Sequence, residues 1–192
     1  MILPILAYGD PILKKMGQEI TKDYPNLTEV IENMFETMHE ANGLGLAAPQ
    51  VGLSIRLFIV DGIPIYNEGK AEDLKDFRKV FINARLLNQQ GEEWSYNEGC
   101  LSIPTIREDI YRQPSIKLNY FDENFNEFTE EFVGLKARII QHEYDHIDGM
   151  LFTDRISFIR KRMLKNKLFD VSRGNVKVDY KMKFPIKYIN RN

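Results

Sequence analysis

The segment His142-Glu143-Tyr144-Asp145-His146 constrains the fold more than any other feature, because it has to lie on a helix to act as a unit. Residues four apart on an α-helix share a face, so both imidazoles can reach one metal ion. Glu143 follows the first imidazole in sequence and can serve as general base and acid toward water at the metal. Two surface histidines one turn apart are the plainer alternative. The chain has only three histidines, however, and the pairing of two of them around a glutamate favours the metal site.

A third metal ligand has to come from elsewhere in the chain. No histidine follows His146 and no glutamate follows Glu143, which removes the two commonest ways to complete a His-Glu-x-x-His protease site. Cys100 is the strongest candidate, because a thiolate is a strong ligand for Zn(II) and Fe(II) and Gly99 permits close backbone approach. His39, beside an apolar helix stripe, is weaker. The downstream aspartates remain formal candidates: Asp148, Asp154, Asp170 and Asp179.

Three protein ligands leave a fourth coordination position open, as a catalytic metal site requires. The metal lowers the pKa of water from about 16 to near 7, so that hydroxide becomes available to attack a carbonyl. The resulting oxyanion needs hydrogen-bond donors. Each such donor typically stabilises the transition state by about 3 kcal/mol. Gln50 and a backbone N–H near Cys100 are the candidates. Taken alone, Gln50 is more often an amide that stabilises a turn.

Hydrophobic periodicity predicts an α+β fold, with antiparallel strands around a central metal-binding helix and a further helix near the C-terminus. Helices are predicted over 27–41, 134–147 and 157–169, and strands over 55–60, 80–87, 115–121 and 127–133. Asp122-Glu123-Asn124 joins the last two strands as a hairpin turn. Asn26 is predicted to cap the first helix, with Glu29 completing a capping box.

Two stretches do not fit regular secondary structure by composition. Residues 43–52, GLGLAAPQVG, are too rich in glycine for a comfortable helix or strand interior. Residues 61–78 are polar and contain glycine, so we predict a surface loop there.

Charge is distributed unevenly along the chain. The formal net charge is −2, but residues 155–192 hold 12 Lys and Arg against 2 Asp and Glu. A basic tail on an acidic body indicates an anionic partner for the tail, although on charge alone a solvated helix face is the commoner explanation. The single cysteine excludes an internal disulfide framework and agrees with a reducing compartment.

The length and composition fit one globular domain: 192 residues, of which 43% are hydrophobic and 28% charged. No apolar run approaches the ~20 residues needed to cross a bilayer. The apolar start, 1–7, lacks the basic region of a signal peptide. We therefore expect a cytoplasmic protein without a membrane segment.

Three segments together resemble the signature motifs of the peptide deformylase family, in the same order. They are GLGLAAPQ at 43–50, EGCLS at 98–102 and QHEYDH at 141–146. The start, LPILAYGDP at 3–11, also resembles the N-terminus of that family, and the resemblance runs from about residue 2 to 160. It implies a single deformylase-like catalytic domain over 1–192, in which about 171–192 is a C-terminal extension of unknown role.

The resemblance implies an enzyme that removes formate from the N-formyl-methionine of new bacterial or organellar polypeptides. It implies one divalent metal ion on the cysteine and the two motif histidines, natively Fe(II), with Zn(II), Ni(II) or Co(II) as alternatives. Glu143 would transfer protons. Gln50 and the backbone N–H of Leu101 would hold the oxyanion.

The resemblance also implies how substrate and partners bind. The backbone of Gly45 and Gly99 would pair with an extended substrate as a strand added to a sheet edge. Leu44 and Leu135 would line the methionine pocket, and Arg107 matches a family arginine near the peptide end. The basic C-terminal helix resembles the part by which relatives dock on the ribosome, where rRNA would supply the anion. A monomer is expected.

Arg138 departs from the family pattern, since it stands one turn before His142 where relatives have an apolar residue near the pocket. Two other functions stay open. A metallopeptidase that acts on internal peptide bonds would use the same helix motif and would cleave unformylated peptides, but its downstream ligand is missing. A non-catalytic homologue that binds metal or the ribosome would hold the ion and release no formate.

Overall fold

The computed structural model describes residues 1–69 and 71–185. The last part of the predicted C-terminal extension, 186–192, therefore lies outside the described residues, as does position 70 of the predicted loop. Within the described part of the chain, no helix is long and apolar enough to cross a membrane.

An antiparallel sheet of five strands forms the centre of the fold. In their order across the sheet, the strands are β2 (Gly45–Ala47), β3 (Leu57–Asp61), β4 (Arg78–Gln90), β7 (Ser115–Phe121) and β8 (Glu127–Val133). A separate antiparallel pair joins β5 (Trp94–Cys100) to β6 (Ile103–Arg112). A short parallel pair joins β1 (Ile5–Leu6) to β9 (Met182–Lys183).

Within the residues that the structure describes, four α-helices pack around these strands: α1 (Leu27–Glu40), α2 (Ile63–Asn67), α3 (Gly134–Ile147) and α4 (Phe158–Ser172). The apolar face of α1 is buried as its periodicity predicts, through residues that include Ile31, Met34 and Met38. α3 lies on the other face of the central sheet and begins at Gly134, whose φ of 61° suits glycine. The fold is therefore α+β with the motif helix at its centre, as predicted.

Several predicted boundaries change. The predicted loop 61–78 contains α2 and a 3-10 turn at Glu72–Leu74. The predicted strand at 80–87 extends in both directions. The side chain of Asn26 makes no capping hydrogen bond to α1, because the backbone of Asn26 is left-handed at φ 54°. Only its backbone carbonyl joins the helix, by accepting a hydrogen bond from the N–H of Val30. The capping-box prediction is therefore wrong.

Five strands of the described residues were not predicted: the short pair β1 and β9, and the strands β2, β5 and β6. The glycine-rich stretch contains β2, which is fully buried and pairs with β3, so the prediction of no strand there is wrong. Both β5 and β6 were missed, although β6 alternates buried and exposed residues almost without interruption. The cause is that Glu108 and Arg112 occupy inward positions of β6, and Glu98 is buried on β5, which hides the apolar alternation.

Candidate metal centre

Cys100, His142 and His146 meet where the end of β5 faces α3. One potential ligand atom from each lies within 4.8 Å of the others, and Cys100 Sγ is 3.4 Å from His146 Nε2. The helix places the two imidazoles one turn apart, and β5 ends at the cysteine that approaches them. The structure thus brings together the three side chains that the sequence singled out.

The weaker candidates for a third ligand lie outside this cluster. His39 Nε2 is 2.9 Å from Asp61 Oδ2, on the α1 side of the sheet. The downstream carboxylates have other partners where the structure describes them: Asp148 accepts from Arg56, and Asp154 pairs with Lys14 and Lys161. Asp170 accepts from Asn175, and Asp179 lies at the rim of the cleft described below.

Glu98 orients the first histidine of the cluster. Its Oε2 lies 2.9 Å from His142 Nδ1, which leaves Nε2 of His142 for a metal ion. Arg112 donates to both carboxylate oxygens of Glu98, at 2.8 and 3.0 Å, and Arg138 donates to Oε1 at 3.0 Å. Burial alone would raise the pKa of Glu98, but hydrogen bonds from His142 and Arg112 hold it well below its usual range.

Asp145 extends this buried network on the same helix. It accepts from Arg112 at 2.8 Å and from Arg155 Nε at 2.6 Å. Arg112 is only 2% exposed, and a charge buried to this extent is unfavourable unless it is paired. Asp145 and Glu98 supply the opposite charges. Glu98 is therefore held by arginines that are themselves held, and this fixes the direction of the His142 imidazole.

Glu143 is buried beside the cluster and lacks a partner for one oxygen. Among the described residues, neither Glu143 Oε2 nor His146 Nδ1 has a hydrogen-bond partner, although both atoms are buried. Burial raises the pKa of Glu143 to about 7, against the opposing charge of His142. A Cβ on Gly45 would lie 2.5 Å from Glu143 Oε1, so the close approach of β2 to α3 requires glycine there.

The two histidines differ in their affinity for protons. Burial lowers the pKa of His146 well below its usual value. Burial also disfavours the charged form of His142, but hydrogen bonds to Cys100 and Glu98 raise its pKa well above the usual value. A metal ion has to displace that proton, so binding at this cluster releases protons.

Gln50 is fixed against the cysteine side of the cluster. Its Oε1 accepts from the Ala47 N–H at 2.9 Å, which sets the orientation of the amide. Its Nε2 lies 3.5 Å from Cys100 Sγ and 3.2 Å from Ser102 Oγ. Leu101 follows the cysteine directly, and its carbonyl accepts from the Tyr180 hydroxyl at 2.8 Å.

A cleft of about 680 Å³ opens onto the cluster. Of the residues predicted to contact substrate, its walls include Leu44, Gly45, Gly99 and Arg107. The guanidinium of Arg107 is held by Asn97, through bonds of 2.9 Å to Oδ1 and 2.6 Å to the backbone carbonyl. Leu135 is not among the lining residues. It packs against the core cluster between α3 and the central sheet, and its N–H donates to Asp73 Oδ2.

A family model described as polypeptide deformylase matches residues 2–162. The chain belongs to the polypeptide deformylase family. A peptide deformylase of Flavobacterium psychrophilum is 58% identical over 188 residues, covering 95% of this chain and 97% of that protein. A peptide deformylase of Christiangramia forsetii is 54% identical over 190 residues, covering 96% and 97% of the two chains.

Solved structures of the deformylase family share this fold. A peptide deformylase from Legionella pneumophila matches with a TM-score of 0.78 at 32% identity, covering 88% of this chain and 95% of that one. A peptide deformylase from Thermotoga maritima matches with a TM-score of 0.73 at 39% identity, covering 82% and 99%. These matches confirm both the predicted α+β fold and the resemblance stated from the motifs.

Several residues around the deformylase centre were not predicted to have a role there. In the sequence, Glu98 stands out only as the first residue of the EGCLS motif, and no pattern indicates a role for Arg112. Arg138 was noted only as a departure; its guanidinium bonds Glu98, Ile110 O and Trp94 O and lies 4.5 Å from the Trp94 ring. The available signal was the set of charged residues at inward positions of β5 and β6.

Proposed function

We propose that this chain removes the N-formyl group from newly made polypeptides with one divalent metal ion held by Cys100, His142 and His146. The chain is a hydrolase of the N-formyl amide bond because it belongs to the deformylase family, whose members use a divalent metal. The observation that supports the ligand assignment is the approach of the three donor atoms within 4.8 Å, beside a cleft open to substrate.

The donor set fits a transition metal. One sulfur and two imidazole nitrogens suit Fe(II) and Zn(II), with Ni(II) and Co(II) as further possibilities, and we assign Fe(II) as the native ion on the family resemblance. When bound, such an ion supplies Lewis acidity that polarises a carbonyl and lowers the pKa of water. Glu98 supports the assignment, because metal-bound histidines regularly donate their other nitrogen to a carboxylate.

Glu143 is the proton carrier in this proposal. Its Oε2 accepts the proton of the attacking water and returns it to the amine that leaves as formate is released. A carboxyl whose pKa lies near 7 holds and gives up a proton with similar ease at neutral pH. The buried Oε2 has no hydrogen-bond partner among the described residues, so no protein donor competes for the proton that it is proposed to receive.

Gln50 and Leu101 are the proposed oxyanion donors. The side-chain carbonyl of Gln50 is already held by Ala47, so its Nε2 stays directed at the cysteine side of the cluster. The N–H of Leu101 is placed next to the cysteine by sequence. Donors that are oriented before the reaction need no reorganisation as charge develops.

The substrate backbone is proposed to pair with two free strand edges. β2 is the edge strand of the central sheet, and β5 pairs only with β6 among the described strands. Gly45 and Gly99 lie on these strands and both line the cleft, which suits an extended peptide inserted between them. We propose that Leu44 contacts the methionine and that Arg107 contacts the following residues.

We propose that the chain acts as a single catalytic domain and a cytoplasmic monomer that docks on the ribosome through α4. The exposed side of α4 carries Arg162 and Lys165 together with three exposed apolar side chains: Phe158 (78%), Ile159 (72%) and Met163 (66%). Cations near phosphates bind by releasing counterions, and apolar side chains add contact area. The excess of basic residues over 155–192 supports the same partner.

Formate release from a formyl-methionyl tripeptide tests the proposal, with anaerobically purified protein and metal content measured on the same sample. The same tripeptide without the formyl group is the matched control. Release from the formylated peptide alone is expected. Cleavage of the unformylated peptide would favour the metallopeptidase, and one bound metal per chain without formate release would favour the non-catalytic homologue.

A further inference from the structure

The chain after α4 returns along the body of the protein, outside the residues matched by the family model. From 175 to 184 its side chains alternate strictly between exposed and half-buried. The inward set is apolar or aromatic: Val176, Val178, Tyr180, Met182 and Phe184. The N–H of Ile5 and of Ala7 donate to carbonyls of this segment at 2.9 Å. The segment therefore packs one face on the core, and its Met182–Lys183 part forms β9.

Part of this return segment forms a wall of the substrate cleft. Residues 177–180 line the same cavity as Gly45, Gln50 and Glu143. Tyr180 packs against the core cluster that contains Met38 and Leu46, so its ring is fixed as well as its hydroxyl. The hydroxyl of Tyr180 is protonated at neutral pH and can donate a hydrogen bond, and burial raises its pKa further.

The hydroxyl of Tyr180 holds the turn that follows Cys100. It donates to the carbonyl of Leu101 at 2.8 Å, and the N–H of Tyr8 donates to the carbonyl of Ser102 at 2.8 Å. Gln50 Nε2 lies 3.2 Å from the Ser102 hydroxyl. The turn between β5 and β6 is thus held from three separate parts of the chain.

We propose that Tyr180 is a positioning residue for deformylation, acting through Leu101. The bond fixes the peptide plane between Leu101 and Ser102. The preceding plane, which carries the Leu101 N–H, meets it at the Leu101 Cα, so its rotation away from the oxyanion is restricted as well. The inference rests on the proposed function, because it assigns the return segment to that reaction. Removing the hydroxyl leaves the ring and the strand-like packing in place but frees the turn on one side.

The test compares the Tyr180→Phe variant with the wild type by steady-state kinetics on a formyl-methionyl tripeptide, with metal per chain and thermal midpoint on each sample. Because donors positioned for the transition state act on kcat, we expect kcat to fall by about fivefold to tenfold, with KM within about twofold. Metal content should equal that of the wild type. The Tyr111→Phe variant, whose ring is 63% exposed on β6, is the matched control and should keep wild-type kinetics.

Three results would overturn the inference while the wild type remains active. They are an unchanged kcat, a rise in KM alone, and a loss of rate that disappears when rates are divided by bound metal. The last would make Tyr180 a merely structural residue. An inactive wild type would instead overturn the proposed function, which is a distinguishable result.

Discussion

Glu98 and His142 are joined by a 2.9 Å contact between carboxylate Oε2 and imidazole Nδ1, inside the protein. Two arginines hold the same carboxylate, so the direction of the imidazole is set by a buried network of which Glu98 and Arg138 also line the cleft, while Arg112 lies behind them. The cost of burying these charges is offset only while every partner is present. The metal affinity of the centre should therefore depend on residues that touch neither metal nor substrate.

The Glu98→Gln variant tests this dependence. Loss of the carboxylate weakens the hold on His142, so we expect metal affinity to fall by about 10- to 100-fold. Competition with a chromophoric chelator measures it. Glu108→Gln is the matched control, because Glu108 is also buried on this strand pair but bonds Arg160 at 2.6 Å instead of a metal ligand. Equal losses in the two variants would contradict the assigned role.

The Glu143→Ala variant tests the proton carrier. We expect kcat to fall by about 100- to 10,000-fold, because no other acid takes its place in the proposal. Metal per chain should stay at the wild-type level. The measurement is formate release normalised to bound metal, and full activity in this variant would remove Glu143 from the mechanism.

The Gly45→Ala variant tests the close approach of β2 to α3. The added Cβ would lie 2.5 Å from Glu143 Oε1, so the carboxylate or the strand has to move. Since small misplacements of catalytic groups are costly, we expect a loss of at least about tenfold in kcat. Gly69→Asn is a suitable control, because no atom of the described residues lies within 4 Å of a Cβ there and asparagine tolerates its φ of 71°. Wild-type rates in Gly45→Ala would show that the contact is not restrictive.

Asp154 gives an acid-dependent contribution to stability. Its partners Lys14 and Lys161 lower its pKa from 3.8 to about 2, against the effect of burial. A depressed pKa in the folded state means that the contribution is fully present above pH 3.8 and is lost as pH falls toward 2. Urea unfolding of wild type and Asp154→Asn between pH 6 and pH 3 should show their stability difference shrinking below about pH 4. A constant difference would contradict the assignment.

Docking through α4 is tested by reversing charge on its exposed side. Arg162→Glu combined with Lys165→Glu should abolish co-sedimentation with ribosomes while the tripeptide is still deformylated at the wild-type rate. Wild-type binding should weaken steeply as salt is raised, because phosphate contacts release counterions. The double variant Glu29→Gln and Glu32→Gln, on α1, controls for surface substitutions. Undiminished co-sedimentation of the charge-reversed variant would contradict the docking proposal.

The sequence predicted those parts of the site that are local. His142 and His146 are one helical turn apart. The periodicity of apolar residues around them predicts a helix from the local sequence alone. Cys100 was predicted as the third metal ligand because the other candidate residues were weaker and because it lies in the EGCLS motif. The central strands followed from runs of apolar residues, because one or both of their faces are buried.

Non-local pairs could not be predicted in the same way. Tyr180 lies 79 positions from Leu101, and nothing in either local sequence indicates that they touch. Arg112 and Glu98 sit at inward positions of two strands, and charged residues at such positions conceal the alternation on which strand prediction depends. The register pairs Glu98 with Glu108 and Arg112 with Trp94, so only the folded structure shows that the Arg112 side chain extends along the strand pair to reach Glu98 at 2.8 Å.

Metal titration of metal-free protein under anaerobic conditions, with formate release measured at each step, tests the central claim most directly. For the wild type, activity should rise in proportion to bound Fe(II) and stop at one ion per chain. The Cys100→Ala variant should bind Fe(II) far more weakly and release no formate at the same concentrations. A Cys100→Ala protein that binds one ion tightly and releases formate at the wild-type rate would contradict the assignment of the centre.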